Sequence, residues 1–295
     1  MEQRLTFGDL LLRVEPWHIV LFLVLTVSYP GARWLLERVV FQHAACALLL
    51  PRGFDRSKLS LPPSKRSRAA KAAASRVHKM VDSMWKLSCC GTFVAVIGCL
   101  TIPEPWFWDT TLYWVGWPDQ EGTGPLRTLC IVELAYYTSH TFILGFWEVP
   151  RKDKAVMMFH HFVAIALVGA CYVCNYTRSG CVIMLLHDIN DVFLELAKVA
   201  SYVKAHVAAN VLFVAFLASW VALRMVAFPG VIMYSTMFES VAVLGYRVPA
   251  YWAINALFVV LYCIHVYWLS LISNAALQMV TRGRAEDVRE DGDEE

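Results

Sequence analysis

Residues 180–198 read G-C-V-I-M-L-L-H-D-I-N-D-V-F-L-E-L-A-K, an apolar run with five ionisable side chains in its last twelve residues. A spanning helix needs roughly 20 mostly apolar residues. Ionisable groups inside one cost several kcal/mol and turn toward the protein interior. Asp188, Asp191, Glu195 and Lys198 are spaced three, four and three apart, so they share one helical face. His187 lies at the edge of that stripe. Such a helix cannot stand alone in lipid, and it predicts an all-α bundle of spanning helices packed around it.

The rest of the chain agrees. Hydrophobic residues make up 58% of the 295 and the mean hydropathy is +0.50, more than a water-soluble core requires. Seven stretches have spanning length: about 17–37, 84–102, 126–148, 155–174, 180–201, 208–235 and 249–273. Pro30 and Gly31 interrupt the first. Pro229 and Gly230 predict a tilt or a break in the sixth. The net charge of +2 gives no reason to expect a nucleic-acid partner. Most of the nine cysteines fall in apolar runs and read as packing residues, with a disulfide among Cys171, Cys174 and Cys181 left open.

Lys and Arg concentrate on cytoplasmic loops. The 51–79 loop carries Arg52, Arg56, Lys58, Lys65, Arg66, Arg68, Lys71, Arg76 and Lys79, whereas 103–125 carries acids and no Lys or Arg. Alternation then predicts a lumenal N-terminus, seven crossings and a cytosolic C-terminus. The expected organisation is 1–50 for the lumenal N-terminus and first helix and 51–79 for a basic cytosolic loop. A helical domain spans 80–275, and an acidic, disordered tail covers 276–295. Within the basic loop, 69–74 predicts a short helix on anionic lipid heads.

His160 and His161 stand on the fourth segment, six and seven residues after Lys154. Asp191 lies seven before Lys198, so the depths match at about 9 to 10 Å from the cytosolic lysines. His160, His161, His187, Asp188 and Asp191 are therefore expected to share a pocket open to the cytosol. An imidazole is nucleophilic near neutral pH and a carboxylate beside it accepts a proton, which suggests acyl transfer. A structural His–Asp network is the alternative use of the same residues. Iron or zinc is disfavoured by too few histidines and by the lack of an HExxH, so no metal and no cofactor are expected. Glu133, Tyr137 and His140 are placed to line the same cavity, and Arg224 to pair with a carboxylate or reach the interface. His265 reads as a satisfied packing histidine.

Residues 160–202 resemble the longevity-assurance motif of ceramide synthases, within the TLC domain. The His pair, Asn175, Arg178, Gly180, His187-Asp188, Asp191, Glu195, Lys198 and Tyr202 all keep that spacing. The resemblance extends over 80–275. It implies one N-terminal helix followed by a six-helix barrel around a lipid tunnel closed toward the lumen. It also implies an endoplasmic reticulum enzyme that joins a fatty acyl group from acyl-CoA, as co-substrate, to the amine of a sphingoid base. On this reading His160 carries the acyl group, Asp191 deprotonates the amine, and His161, His187 and Asp188 complete the site. Arg151, Lys152 and Lys154 would meet the CoA phosphates, with Asn175 and Arg178 among the substrate-binding residues, and the 236–248 loop would tune acyl length. Membrane lipids are natural neighbours; a homo- or hetero-oligomer stays open. Ala164, Cys171 and Ile189-Asn190 depart from the usual motif and bear on chain preference more than on the reaction. A non-catalytic TLC protein that binds or moves lipids, or assists membrane insertion, is the rival expectation.

Overall fold

The computed structural model describes residues 6–11, 13–60, 62, 64, 66–146 and 152–282, and among these every regular element is helical. Six helices are long and apolar enough to cross a membrane: α1 (Pro16–Leu49), α2 (Arg68–Thr101), α3 (Gly124–Phe146), α4 (Lys154–Val173), α6 (His206–Leu244) and α7 (Tyr251–Arg282). Between them α5 (Thr177–Tyr202) has 26 residues, about 39 Å of rise, but too many charges to pass on apolarity. Six of the seven expected crossings thus meet both tests. The seventh, α5, meets length alone, so the expected count of seven crossings rests for this helix on its packing among the other six.

That packing explains the charged stripe. In space the neighbours run α2, α5, α6, α7, α4, α3, with α1 lying across α3 and α2. The α5 helix also touches α3 and α4, so its polar residues are surrounded by protein. Gly180 lets α4 and α5 close into a hairpin. A Cβ there would stand 2.9 Å from the Cys171 sulfur and 3.1 Å from its Cβ.

Several boundaries differ from the sequence expectation, each for a physical reason. The Ala-rich stretch 69–74 is not a separate surface helix but the first turns of α2, capped where Ser67 Oγ accepts from the Ala70 N–H at 3.2 Å. Pro30 does not end α1, which continues through a π turn at Glu37–Phe41. Pro229 does not break α6 either. It lies in a π-helical stretch, Trp220–Met233, whose wider turn absorbs the missing proline N–H. Most of the expected 236–248 loop is helix as well, since α6 runs to Leu244 and stops only at Gly245 with φ 72°.

The connection from Ile102 to Thr123 folds back over one end of the bundle as an aromatic lid. The Trp114 indole donates to Ser235 Oγ at 2.9 Å, and Trp117 donates to the Cys174 carbonyl at 2.9 Å. Tyr176 stacks on Trp117 and donates to the Pro249 carbonyl at 2.8 Å. The three cysteines considered for a disulfide, Cys171, Cys174 and Cys181, are buried free thiols at this end.

Candidate active site

On α4, His160 and His161 point to different neighbours, as adjacent helical residues must. Thr141 gives its only proton to the Tyr137 carbonyl at 2.7 Å. Its oxygen, 3.3 Å from His161 Nδ1, therefore accepts from that ring. His161 also stacks on His140 with centroids 5.1 Å apart. The His160 ring instead stands edge-on to Trp268 of α7 at 5.0 Å. Its Nδ1 is buried and meets no hydrogen-bond partner among the described residues.

On α5, Arg224 of α6 organises the acids. Its Nη2 donates to Asp191 Oδ1 at 3.2 Å and to the His187 carbonyl at 3.0 Å, and its Nε donates to Asn190 Oδ1 at 3.1 Å. The guanidinium also lies 4.2 Å over the Trp220 ring, a cation–π contact that favours the charged fork. Arg224 is buried, but the Asp191 side chain is 48% exposed, so one partner fixes the other while leaving it accessible. Asp188 is buried, and its Oδ2 has no partner among the described residues. Glu195 and Lys198 pair with each other at 3.4 Å farther along the helix.

The two halves meet through aromatic rings. Trp268 faces His160 on one side and Trp220 on the other, at 6.2 Å, and Trp220 lies under the Arg224 that holds Asp191. His160 and Asp191 are thus connected through an indole pair and Arg224. At the start of α4, Lys152 and Lys154 are exposed, with Lys154 Nζ donating to the Gly145 carbonyl at 3.0 Å. Arg151 lies outside the described residues. Asn175 and Arg178 sit at the opposite end, under the lid: Asn175 Nδ2 donates to the Pro118 carbonyl at 2.5 Å and Arg178 to the Leu112 carbonyl at 2.6 Å. Asn175 adopts φ 54°, a left-handed conformation that asparagine tolerates.

This arrangement of two adjacent histidines, an arginine-held acid and a second His–Asp pair on a helical bundle coincides with a known domain, because the TLC domain family matches residues 79–274. The chain belongs to the TLC-domain family of ceramide synthases. Similar proteins include ceramide synthase LOH1 of Arabidopsis thaliana, 33% identical over 279 residues, which cover 90% of this chain and 88% of that protein. Ceramide synthase 1 LOH3 of the same plant is 34% identical over 284 residues, 91% of this chain and 89% of that one. Human ceramide synthase 5 is 37% identical over 218 residues, 72% of this chain and 54% of the human protein.

Within this TLC domain, two site residues escape a reading of the motif alone. His265 of α7 is not a satisfied packing histidine: its Nε2 lies 3.0 Å from the Nε2 of His187, and its Nδ1 is buried without a partner among the described residues. Trp268, one turn on, connects Asp153 and His160. The signal for His265 was an ionisable group in an apolar helix, which alone marks a candidate. No signal marked Trp268.

Proposed function

We propose that this TLC protein is a ceramide synthase of the endoplasmic reticulum membrane, forming an amide between a fatty acyl group from acyl-CoA and a sphingoid base. The observation that carries the reading is the His160 ring, whose buried Nδ1 has no partner among the described residues, connected through Trp268, Trp220 and Arg224 to a half-exposed Asp191. A ring nitrogen of His160 attacks the thioester carbon. The C–S bond breaks, CoA leaves as the thiolate, and an acyl-imidazolium forms that keeps the proton on its other ring nitrogen. The amine nitrogen then attacks the same carbon, the imidazole departs, and the ammonium proton passes to Asp191. Arg224 keeps that carboxylate oriented through both steps.

In this orientation the α4 start faces the cytosol, with the N-terminus lumenal and the C-terminus cytosolic. Lys152 and Lys154 stand where the CoA phosphates arrive, and exposed ammonium groups suit that task. Incubating the purified protein with a panel of acyl-CoAs and sphingoid bases, followed by mass spectrometry of the lipids, tests the reading. The expected product is an N-acylated base. Release of CoA without any amide, or no reaction with any pair, would count against it.

A further inference from the structure

The hydrogen-bond partners of His187 and His265 fix which ring nitrogen of each holds the proton. His187 Nδ1 is 2.7 Å from the Ile183 carbonyl, which can only accept, so Nδ1 is protonated. In the neutral ring, Nε2 is then an acceptor. His265 must donate to it from its own Nε2 across the 3.0 Å contact. This leaves Nδ1 of His265 as a lone pair in a residue that is 0% exposed, with no donor among the described residues.

A donor without an acceptor stands beside it. Trp220 is 4% exposed, and its indole N–H also has no partner among the described residues. The two rings are neighbours, edge to face with centroids 5.9 Å apart, so the unmet donor and the unmet acceptor belong to adjoining side chains. The group that accepts from an N–H and donates to a lone pair at once is a hydroxyl. Leaving both atoms buried and unmet costs about 1–3 kcal/mol for each, which gives the bundle a reason to bind one.

The place is informative. Trp220 lies under the Arg224 guanidinium and next to Trp268, between the groups that face His160 and Asp191. We propose that Trp220 Nε1 and His265 Nδ1 form a hydroxyl subsite, which recognises the alcohol of a long-chain amino alcohol while its amine reaches Asp191. The His187–His265 hydrogen bond holds the subsite in its accepting tautomer. This inference rests on the acyl-transfer reading above and adds to it the residues that select the acceptor. A water molecule has the same hydrogen-bonding chemistry, so the test must separate substrate hydroxyl from water.

The experiment compares a hydroxylated long-chain base with the same amine lacking its hydroxyl groups, using kcat/KM for each. It uses the full-length protein and the variants His265→Leu and Trp220→Phe. Leucine removes the ring Nδ1 and offers no other acceptor, and phenylalanine keeps an aromatic ring and removes the N–H. The wild type should favour the hydroxylated base by about tenfold or more. Each variant should bring that ratio close to one, even where both rates fall. If both folded variants, judged by an unchanged thermal midpoint, keep the wild-type ratio, the two atoms serve water and the subsite is refuted. If one variant misfolds, the other decides. A wild type that acylates neither amine defeats the acyl-transfer reading. In that case thermal stabilisation by the hydroxylated amine over the deoxy amine, present in the wild type and lost in the variants, still decides the subsite.

Discussion

Trp268 and Asp153 are joined by a 3.1 Å hydrogen bond from the indole N–H to a buried carboxylate oxygen, which ties α7 to the first turn of α4. The same indole stands edge-on to His160, so the orientation of the proposed nucleophile depends on a bond formed two turns away. Trp268→Phe keeps most of the ring and removes the donor. It should lower stability by about 1.5–3 kcal/mol, the range for a hydrogen bond to a charged group, and slow acyl loading more than it weakens acyl-CoA binding. Thermal unfolding together with single-turnover loading would check this. A variant that loads at the wild-type rate would separate Trp268 from the site.

His160→Ala should abolish both acyl loading and product, because the attacking nitrogen is gone. Asp191→Asn should behave differently, loading an acyl chain yet transferring it slowly, with a loss of about 10²-fold or more for a missing base. Intact-protein mass spectrometry after exposure to acyl-CoA alone reads the difference. An Asp191→Asn protein that never gains the acyl mass would place the acid in the first step as well.

Arg224→Lys retains a charge but loses the fork that reaches Asp191, Asn190 and the His187 carbonyl together. Since Arg224 is buried, the expected cost is about 1–3 kcal/mol of stability with at least a tenfold slower transfer step. Asn190→Ala should share part of the stability loss and little of the kinetic one. Equal transfer rates for Arg224→Lys and wild type would free Asp191 from this control.

Gly180→Ala forces a methyl against the Cys171 side chain, where the gap allows only 2.9 Å. Overpacking of this kind costs about 1–3 kcal/mol. Cys171→Gly removes the colliding atoms, so the double variant should recover much of the loss seen in Gly180→Ala. Additive losses in thermal midpoint would show that the α4–α5 contact is looser than this distance implies.

The charge asymmetry of the loops predicts labelling of single cysteines placed at 56 and 66 from the cytosolic side of sealed vesicles. Cysteines at 109 and 121 should react only after the membrane is opened. Reaction at 109 in sealed vesicles, with 56 protected, would invert the orientation.

The helical architecture was legible because lipid imposes a coarse rule: long apolar runs become helices, and charges within them turn inward. That rule located six of the seven segments as helices of spanning length and composition, and singled out His160, His161 and the α5 stripe. It measures the bilayer rather than the helix, so it missed the polar first turns of α2 and the last turns of α6. Partners on distant helices were less accessible. His187 and His265 are 78 residues apart, and a lone histidine in an apolar run has no spacing that reveals a contact. Trp268 offers still less, since an indole in a membrane helix is ordinary until its N–H is traced to Asp153.

The aromatic lid has a consequence for how the protein is made. Its hydrogen bonds join Trp114 to Ser235, Trp117 to Cys174, and Tyr176 to the carbonyl of Pro249. These partners leave the ribosome far apart in time, and the last of them only as the final membrane hairpin is being completed. Trp117 finds its partner as soon as α4 is made, Trp114 waits for residue 235, and Tyr176 waits longest, for Pro249. Closure of the lid therefore waits on the turn between α6 and α7, and chains truncated before Ser235 leave Trp114 and Tyr176 without the partners that hold them in the finished fold.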